Sequence, residues 1–336
     1  MGSAIFNELI NKIILKKKHK KILWVLSTSQ LIPSDIVGCI LPANFLKSQK
    51  IIISQDSDII NVFNMYEFDI IVFGKCFNSN VINLAKEASK RKIKTISCFN
   101  DWHFKPRNKK EEKQFYLNHL LARNSDYIVV KSVDAGSIIK KNTGFNYSVI
   151  EDCLRYKKIN ITNHKEKIIN LLWFGTSSNH DTLYKGLREI ELSRIKSNIN
   201  VVTNFSHQLL QNLKLQKFKY LKIQLIPFSE NNLINAAINS SIIIIPLLND
   251  HIRFVKSSNR ISDALNFGKF VIKSKTTYHL DLDKFCYVGN IGEGLNWFFK
   301  NRDDASKLVK SGQDYVQKNF SIKAISKKWT NLFDKL

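Results

Sequence analysis

Residues 242–273 read IIIIPLLNDHIRFVKSSNRISDALNFGKFVIK and show the chain's organising pattern most clearly. Four consecutive isoleucines end at a proline, and a polar loop follows them. Residues 257–267 then follow a helical pattern, and after Gly268 the chain becomes apolar again over residues 270–273. Apolar strands connected through a helix are typical of a parallel sheet that is covered by helices on both faces.

The same alternation extends through most of the chain and predicts an α/β fold with two Rossmann-like parallel-sheet domains. The predicted strands of the first half are Ile22–Ser27, Ile51–Ser54, Asp69–Gly74, Lys94–Phe99, Asp126–Lys131 and Tyr147–Ile150. Those of the second half are Ile168–Phe174, Val201–Asn204, Lys222–Ile226, Ile242–Pro246 and Phe270–Lys273. In such a pair of domains, a ligand is expected in the cleft between them, at the carboxyl ends of the strands.

Residues 155–167 interrupt the alternation, because they are polar and have no periodic apolar pattern. We therefore predict a first domain over residues 1–154, a linker over 155–167 and a second domain over 168–318. A terminal helix over residues 319–336 has an apolar face, and we expect it to cross back to the first domain.

Composition narrows the function classes. The 336 residues carry a formal net charge of +24, which fits attraction to anionic lipid, binding of nucleic acid, or the lysine-rich bias of an AT-rich genome. The charge is mostly Lys and widely spread, so nucleic acid is the least favoured partner. Five scattered cysteines without a C-x-x-C pair indicate a reducing compartment, and no apolar run reaches the roughly 20 residues of a membrane span. We expect a cytoplasmic protein.

The N-terminal segment suggests where the protein associates with a membrane. Residues 6–14 place apolar side chains at helical spacing, and residues 16–21 are almost all lysine. An apolar stripe that ends in a basic cluster suits a helix in the lipid interface. A helix that packs on its own domain explains the pattern equally well. With the first interpretation, the protein is peripherally associated with the inner face of the cytoplasmic membrane.

An anion site is predicted where the helix of residues 257–267 begins. Its candidate residues are Lys256, Ser257, Ser258, Asn259 and Arg260. Either serine is a suitable N-cap, and free backbone amides, the helix dipole and two cations together suit a diphosphate. Asp263 follows Arg260 by one helical turn, and its carboxylate could accept hydrogen bonds from ribose hydroxyls. The alternative is a capped surface helix with an Arg–Asp pair.

Two further loops follow predicted strands. Gly175 and Thr176 begin a polar loop after the strand of residues 168–174, which we expect to face a phosphate or a sugar. Asp101 and His103 follow the strand of residues 94–99, and either could accept a proton as a catalytic base. The alternative for this pair is that Asp101 caps a turn and His103 packs beside Trp102.

The second half of the sequence resembles the nucleotide-sugar domain of GT-B glycosyltransferases, particularly the family-4-like group of bacterial surface-polysaccharide enzymes. Residues 263–272 (DALNFGKFVI) fit that group's pattern of an acidic residue, alanine, an aliphatic residue, two variable residues, glycine and an apolar strand. The resemblance implies transfer of a sugar from a nucleotide-sugar donor to a saccharide or lipid-linked acceptor in cell-surface polysaccharide biosynthesis. Lys256, Arg260 and the helix amides could stabilise the leaving nucleotide without a metal, so we expect no metal and no cofactor.

One departure from that family concerns the donor sugar. The family usually has two glutamates eight positions apart, whereas here Asp263 occupies the second position and Val255 the first. This departure leaves open the donor sugar and whether the transfer retains or inverts the configuration. The alternative functions are a catalytically silent partner subunit, a nucleotide-sugar epimerase and a basic nucleic-acid-binding protein. Asp281-Leu282-Asp283 has the spelling of a metal-binding D-x-D motif, but we expect it to form a turn.

Overall fold

The computed structural model describes residues 20–27, 32–100, 109–161, 168–250 and 254–336. These residues form two compact units. The first contains the described residues of Met1–Arg155, His251–Ser257 and Phe320–Leu336, and the second those of Tyr156–Asp250 and Ser258–Asn319. Each unit contains a six-stranded parallel sheet, so the predicted α/β class with two Rossmann-like sheets is confirmed.

The first unit begins at the amino end of the described chain. Its strands are β1 (Lys21–Leu26), β2 (Gln49–Ser54), β3 (Ile70–Gly74), β4 (Lys94–Phe99), β5 (Tyr127–Val130) and β6 (Ser148–Val149). Its first helices are α1 (Pro33–Asp35), α2 (Leu41–Phe45), α3 (Ile59–Met65), α4 (Ser79–Lys90), α5 (Lys109–Arg123) and α6 (Val133–Thr143), with a π-helical turn (Ile36–Ile40) between α1 and α2. The strand order is β2-β1-β3-β4-β5-β6.

The second unit also contains a six-stranded parallel sheet, but its strand order is different. Its strands are β7 (Ile169–Phe174), β8 (Ser197–Thr203), β9 (Leu221–Pro227), β10 (Ile242–Ile245), β11 (Phe270–Lys273) and β12 (Tyr287–Val288). Its helices are α7 (His180–Ser193), α8 (His207–Lys214), α9 (Glu230–Ile238), α10 (Asn259–Asn266), α11 (Ile291–Lys300) and α12 (Arg302–Phe320). The order β12-β11-β10-β7-β8-β9 places its topological switch point between β10 and β7.

The central strands are buried because they are apolar on both faces. All residues of β3 and β10 are buried, as are the last five of β1. The side chains of Ile169, Ile199, Ile242 and Ile272 are at most 1% exposed and belong to one core cluster of the second unit. The continuous apolar runs in the sequence therefore mark the middle of each sheet.

The last helix, α13 (Ile322–Phe333), packs in the first unit. The ring of Trp329 is fully buried and lies 5.1 Å from the ring of Trp24 on β1, at an interplanar angle of 71°. The ring centroids of Phe333 and Trp24 are 6.2 Å apart. Ser321 caps the helix by accepting a hydrogen bond from the backbone N–H of Ala324.

The structure assigns two segments for which the sequence predicted neither a helix nor a strand. Residues 254–257 group with the first unit, where Val255 is 3% exposed and packs in a cluster with Val130 and Ile139. Residues 156–161 contain no helix or strand, and the carbonyl of Ile159 accepts a hydrogen bond from Gln313 Nε2 at 2.8 Å. Residues 162–167 of the predicted linker lie outside the described part of the chain.

Candidate functional site

The carboxyl end of β7 carries a fixed turn. The backbone N–H of Gly175 donates to the carbonyl of Val202 at 3.2 Å, and the carbonyl of Gly175 accepts from Thr203 Oγ1 at 2.6 Å. His180 Nε2 lies 3.0 Å from the same Thr203 hydroxyl. Burial lowers the pKa of His180, which keeps this contact uncharged at neutral pH. The turn after β7 is thus attached to the neighbouring strand β8.

A polar loop continues from this turn to the N-terminus of α7. Thr176 Oγ1 and Ser178 Oγ lie 2.9 Å apart, and Asn179 Nδ2 donates to Thr176 Oγ1 at 3.3 Å. Thr176 and Ser178 are exposed, and the helix begins at His180 after a short 3-10 turn. The loop therefore presents hydroxyl groups beside the positive end of a helix dipole.

Arg260 lies against the same turn. Its guanidinium carbon Cζ is 5.2 Å from the ring centroid of Trp173 and 5.9 Å from that of Phe174, the last two residues of β7. A Cβ atom added at Gly175 would lie 3.5 Å from Arg260 Cζ and 3.1 Å from the ring of Trp173. The structure thus brings together two residues that the sequence could place only in separate candidate loops.

The strand order explains this proximity. Gly175 follows β7, whereas Arg260 lies on α10, the helix that connects β10 to β11. Because β7 and β10 are neighbours, the connection after β10 begins beside the end of β7. Ligands of open α/β sheets bind at such switch points, outside the carboxyl ends of the strands.

The start of α10 differs in detail from the predicted cap. Ser258 occupies the N-cap position, and its carbonyl accepts from the backbone N–H groups of Ile261 and Ser262 at 2.9 and 3.0 Å. Its hydroxyl makes no capping hydrogen bond within the described residues. Asn259 begins the helix and is half-buried. Lys256 and Ser257 are also half-buried and group with the first unit.

Asp263 lies on the inward side of α10. Its residue exposure is only 9%, and its neighbours from Ile261 to Asn266 are all buried. After the helix, Phe267 packs edge-on against Phe174 of β7 with the ring centroids 6.2 Å apart. A ligand could therefore reach Asp263 only through the small part of the residue that remains exposed.

The segment after β11 contains a buried histidine that the sequence analysis did not identify. His279 has a backbone φ of 57°, in the left-handed region that non-glycine residues rarely adopt, and is 7% exposed. Burial and the neighbouring charge of Lys273 lower its pKa to about 3. The only signal for such a residue would have been backbone strain, which a sequence does not reveal.

Asp283 has a structural partner. Its carboxylate forms an ion pair with Lys273, whose side chain is fully buried at the end of β11. Residues 280–285 form a 3-10 turn, as expected for the D-x-D spelling. Within the described ranges, no group of three or more His, Cys, Asp or Glu side chains is arranged to hold a metal ion.

The carboxyl edge of the first unit contains a polar network that the sequence analysis also missed. Ser27 Oγ donates to Asp35 Oδ2 at 2.6 Å, and Gln55 Nε2 donates to the carbonyl of Ser27 at 2.5 Å. Asp35 is 1% exposed, and this burial raises the pKa of its carboxyl group. Ser27 directly follows β1 and Gln55 directly follows β2. Their position at the ends of two predicted strands is the sequence feature that could have identified them as candidate site residues.

Several predicted features lie outside the described residues. Asp101 and His103 are among them, although β4 ends at Phe99 as predicted. Residues 6–19 of the basic N-terminal segment are also outside. Lys21, at the end of that segment, begins β1 and forms an ion pair of 3.3 Å with Glu67.

The chain is similar to known proteins in its structure and not in its sequence. No protein-family model matches the sequence, and no curated protein matches it. Many solved structures match the fold. HepE from Anabaena, solved in complex with UDP and glucose, has a TM-score of 0.69 and 12% sequence identity, covering 95% of this chain and 100% of HepE.

Two further structures extend this similarity. A trehalose-6-phosphate protein from E. coli, bound with UDP-2-fluoro glucose, has a TM-score of 0.61 and 9% identity over 94% of this chain and 99% of its own. The lipopolysaccharide outer core galactosyltransferase WaaB has a TM-score of 0.57 and 12% identity over 94% of this chain and 100% of its own. The chain therefore has the GT-B fold, as the resemblance in its sequence predicted.

Proposed function

We propose that the protein is a glycosyltransferase that takes a sugar from a nucleotide-activated donor. The observation that carries this proposal is the position of Arg260 against Gly175, at the switch point of the second unit. In the structurally similar proteins HepE and the E. coli trehalose-6-phosphate protein, the bound molecules are UDP and a UDP-sugar analogue. The same class of donor suits a site with a cation, hydroxyl groups and a helix N-terminus.

Arg260 has the clearest chemical role in this proposal. Breaking the bond between the sugar and the diphosphate leaves negative charge on the nucleotide, and a positioned guanidinium stabilises that charge. Trp173 and Phe174 hold the guanidinium plane in place, so little side-chain freedom is lost when the diphosphate binds. The side chain thereby favours departure of the nucleotide.

The surrounding groups complete the proposed donor site. Thr176 and the backbone at the start of α7 would donate hydrogen bonds to phosphate oxygens. Ser258 and Asn259 would bind the diphosphate from the start of α10, and Asp263 would accept hydrogen bonds from the ribose. Lys256 and Ser257 precede this helix and remain predictions from the sequence. Gly175 leaves room for Trp173 and Arg260, because a Cβ atom there would lie 3.1 Å from the ring of Trp173 and 3.5 Å from Arg260 Cζ. No metal or cofactor is part of this proposal.

The acceptor is proposed as a saccharide or a lipid-linked saccharide of a cell-surface polysaccharide. One structurally similar protein is a galactosyltransferase of the lipopolysaccharide outer core. Asp101 and His103 remain our candidates for the base that accepts the acceptor's proton. We propose that residues 6–21 bind anionic lipid at the inner face of the cytoplasmic membrane. The protein would then have access to lipid-linked acceptors.

Nucleotide binding tests the proposal directly. The melting temperature is measured with UDP, GDP, CMP, ADP and dTDP, each with and without its common sugars. A ligand present at 100 times its Kd stabilises the fold by about 2.7 kcal/mol, which raises the melting temperature by a readable few degrees. One responding nucleotide supports a donor site, and its sugar series identifies the donor. No response to any of them would favour a catalytically silent partner subunit.

A further inference from the structure

A groove between α7 and α8 lies in the second unit and begins beside the proposed donor site. Its volume is about 680 Å³, within the range of about 300–1,000 Å³ that is typical of ligand-binding clefts. Five residues of α7, from Asp181 to Glu189, line one side, and Asn212, Leu215 and Gln216 line the other. Because α7 directly follows the polar loop that contains Thr176, the groove starts at the donor-site end of this helix and follows it for about 12 Å.

The fixed charges of the groove balance one another. Its charged side chains are two acids and two cations, Asp181, Glu189, Lys185 and Arg188. Lys185 Nζ lies 3.9 Å from a carboxylate oxygen of Glu189 and donates to the carbonyl of Leu247 at 3.2 Å. Glu189 also accepts from the backbone N–H of Ile291 at 2.7 Å. A strongly anionic or cationic ligand would meet charges of its own sign here, so the groove suits a ligand that is polar and uncharged.

The neutral polar groups of the groove can both donate and accept hydrogen bonds. They are the hydroxyl of Tyr184 and the side-chain amides of Asn212 and Gln216. All three residues are half-buried, and these groups make no hydrogen bond within the described part of the chain. The ring of Tyr184 packs on the core of the second unit, which fixes its position. The groove therefore presents one aromatic ring and two planar amides to a ligand.

We propose that this groove binds a neutral saccharide chain. A sugar hydroxyl both donates and accepts hydrogen bonds, as do the two amides and the Tyr184 hydroxyl, and the carbon–hydrogen face of a sugar can pack on an aromatic ring. A nucleic acid is a poorer ligand, because its phosphates would meet the carboxylates of Asp181 and Glu189. An apolar ligand would leave the amides without partners.

The position of the groove gives the bound saccharide a role. Since the groove begins at the donor-site end of α7, a saccharide bound there lies on the same unit as the proposed diphosphate site. It would hold a growing glycan on the enzyme between transfers and raise the local concentration of acceptor ends. This role rests on the proposed function, whereas saccharide binding itself requires neither a donor nor a reaction.

Saturation-transfer-difference NMR on the full-length chain tests saccharide binding. The probes are short neutral oligosaccharides of glucose, galactose, mannose and N-acetylglucosamine. Asn212→Ala with Gln216→Ala removes both amides and should weaken binding at least about fivefold, because each neutral hydrogen bond contributes a factor of roughly two to twelve. The matched control, Asn231→Ala with Asn235→Ala, removes two exposed amides of α9 and should bind as the wild type does.

The outcomes separate this groove from other binding modes. No saturation transfer to any of the oligosaccharides in the wild type would overturn the proposal. Equal binding by the groove variant and the control variant would place the saccharide elsewhere and would overturn it as well. Binding of single-stranded RNA more tightly than of every oligosaccharide, with loss of that binding in the groove variant, would assign the groove to nucleic acid.

Nucleotide titration distinguishes the groove from the donor site. The groove variant should bind the stabilising nucleotide with wild-type affinity, and Arg260→Ala should bind the oligosaccharide as the wild type does. Saccharide binding in a chain that binds no nucleotide would refute the donor site and leave the groove as a saccharide site. Loss of nucleotide affinity in the groove variant would make Asn212 and Gln216 part of the donor site and would overturn a separate saccharide site.

Discussion

Replacing Arg260 by alanine tests the proposed donor site most directly. The substitution removes a guanidinium group that lies over Trp173 and beside Gly175, without adding bulk to the site. A hydrogen bond from a charged donor contributes about 1.5–3 kcal/mol, so we expect nucleotide affinity to fall about 10- to 150-fold. Isothermal titration calorimetry with the nucleotide that stabilises the wild type measures this change.

The loss of affinity must be separated from a loss of folding. Removing the guanidinium from the two aromatic rings costs about 0.5–1 kcal/mol of stability at a partly exposed position. Arg302→Ala is a matched control, because Arg302 lies 4.1 Å from the ring of Phe298 and 4.9 Å from that of Phe299, on a different part of the same unit. It should lower stability by a similar amount and leave nucleotide affinity unchanged.

A conservative variant tests the geometry. Arg260→Lys keeps the positive charge but loses the planar group that stacks on the rings and forms paired hydrogen bonds. We expect an affinity between those of the wild type and Arg260→Ala. Wild-type nucleotide affinity in a folded Arg260→Ala protein would refute the assignment of the phosphate site to this side chain.

Two further predictions concern the same unit. Gly175→Val should weaken nucleotide binding by at least about tenfold. Trp173 and Arg260 lie 3.1 and 3.5 Å from a Cβ atom added at this position, so the valine side chain would displace one of them. Normal nucleotide binding in a titration would show that the turn adapts to the added side chain. His279 has a pKa of about 3 in the folded state and about 6.5 when unfolded, so unfolding takes up a proton and stability falls as the pH falls from 6.5 towards 3. Its contribution is up to about 1.4 kcal/mol per pH unit, and His279→Asn, which tolerates the left-handed backbone, should make urea unfolding less dependent on pH over that range. An unchanged pH dependence would show that His279 is not the group responsible.

The strands show how far local patterns are reliable. β10 and β11 were predicted within one residue, because a fully buried strand is a continuous apolar run. β8 begins at Ser197, four residues before the predicted start at Val201. Asn198 and Asn200 are half-exposed and alternate with buried Ile199, so this end of the strand has no apolar run. Short helices such as α8 have too few turns to give a clear periodicity and were not predicted.

The candidate site was predictable only in parts. The sequence identified Gly175 and Arg260 separately, since one follows an apolar strand and the other begins an amphipathic helix. The buried network of Ser27, Asp35 and Gln55 was not predicted, because its hydrogen bonds join residues of different strand ends and a helix, and these meet only when the strands are ordered in the sheet.

The sequence by itself determined the α/β class, the existence of two sheets and the resemblance to GT-B glycosyltransferases. These properties are local, since each strand and helix carries its own apolar period and each motif its own spacing. Only the tertiary structure placed Arg260 against Gly175 and Val255 in the core of the first unit. Such contacts depend on which strands pair, and strand pairing is set by the packing of the whole sheet and not by any single segment.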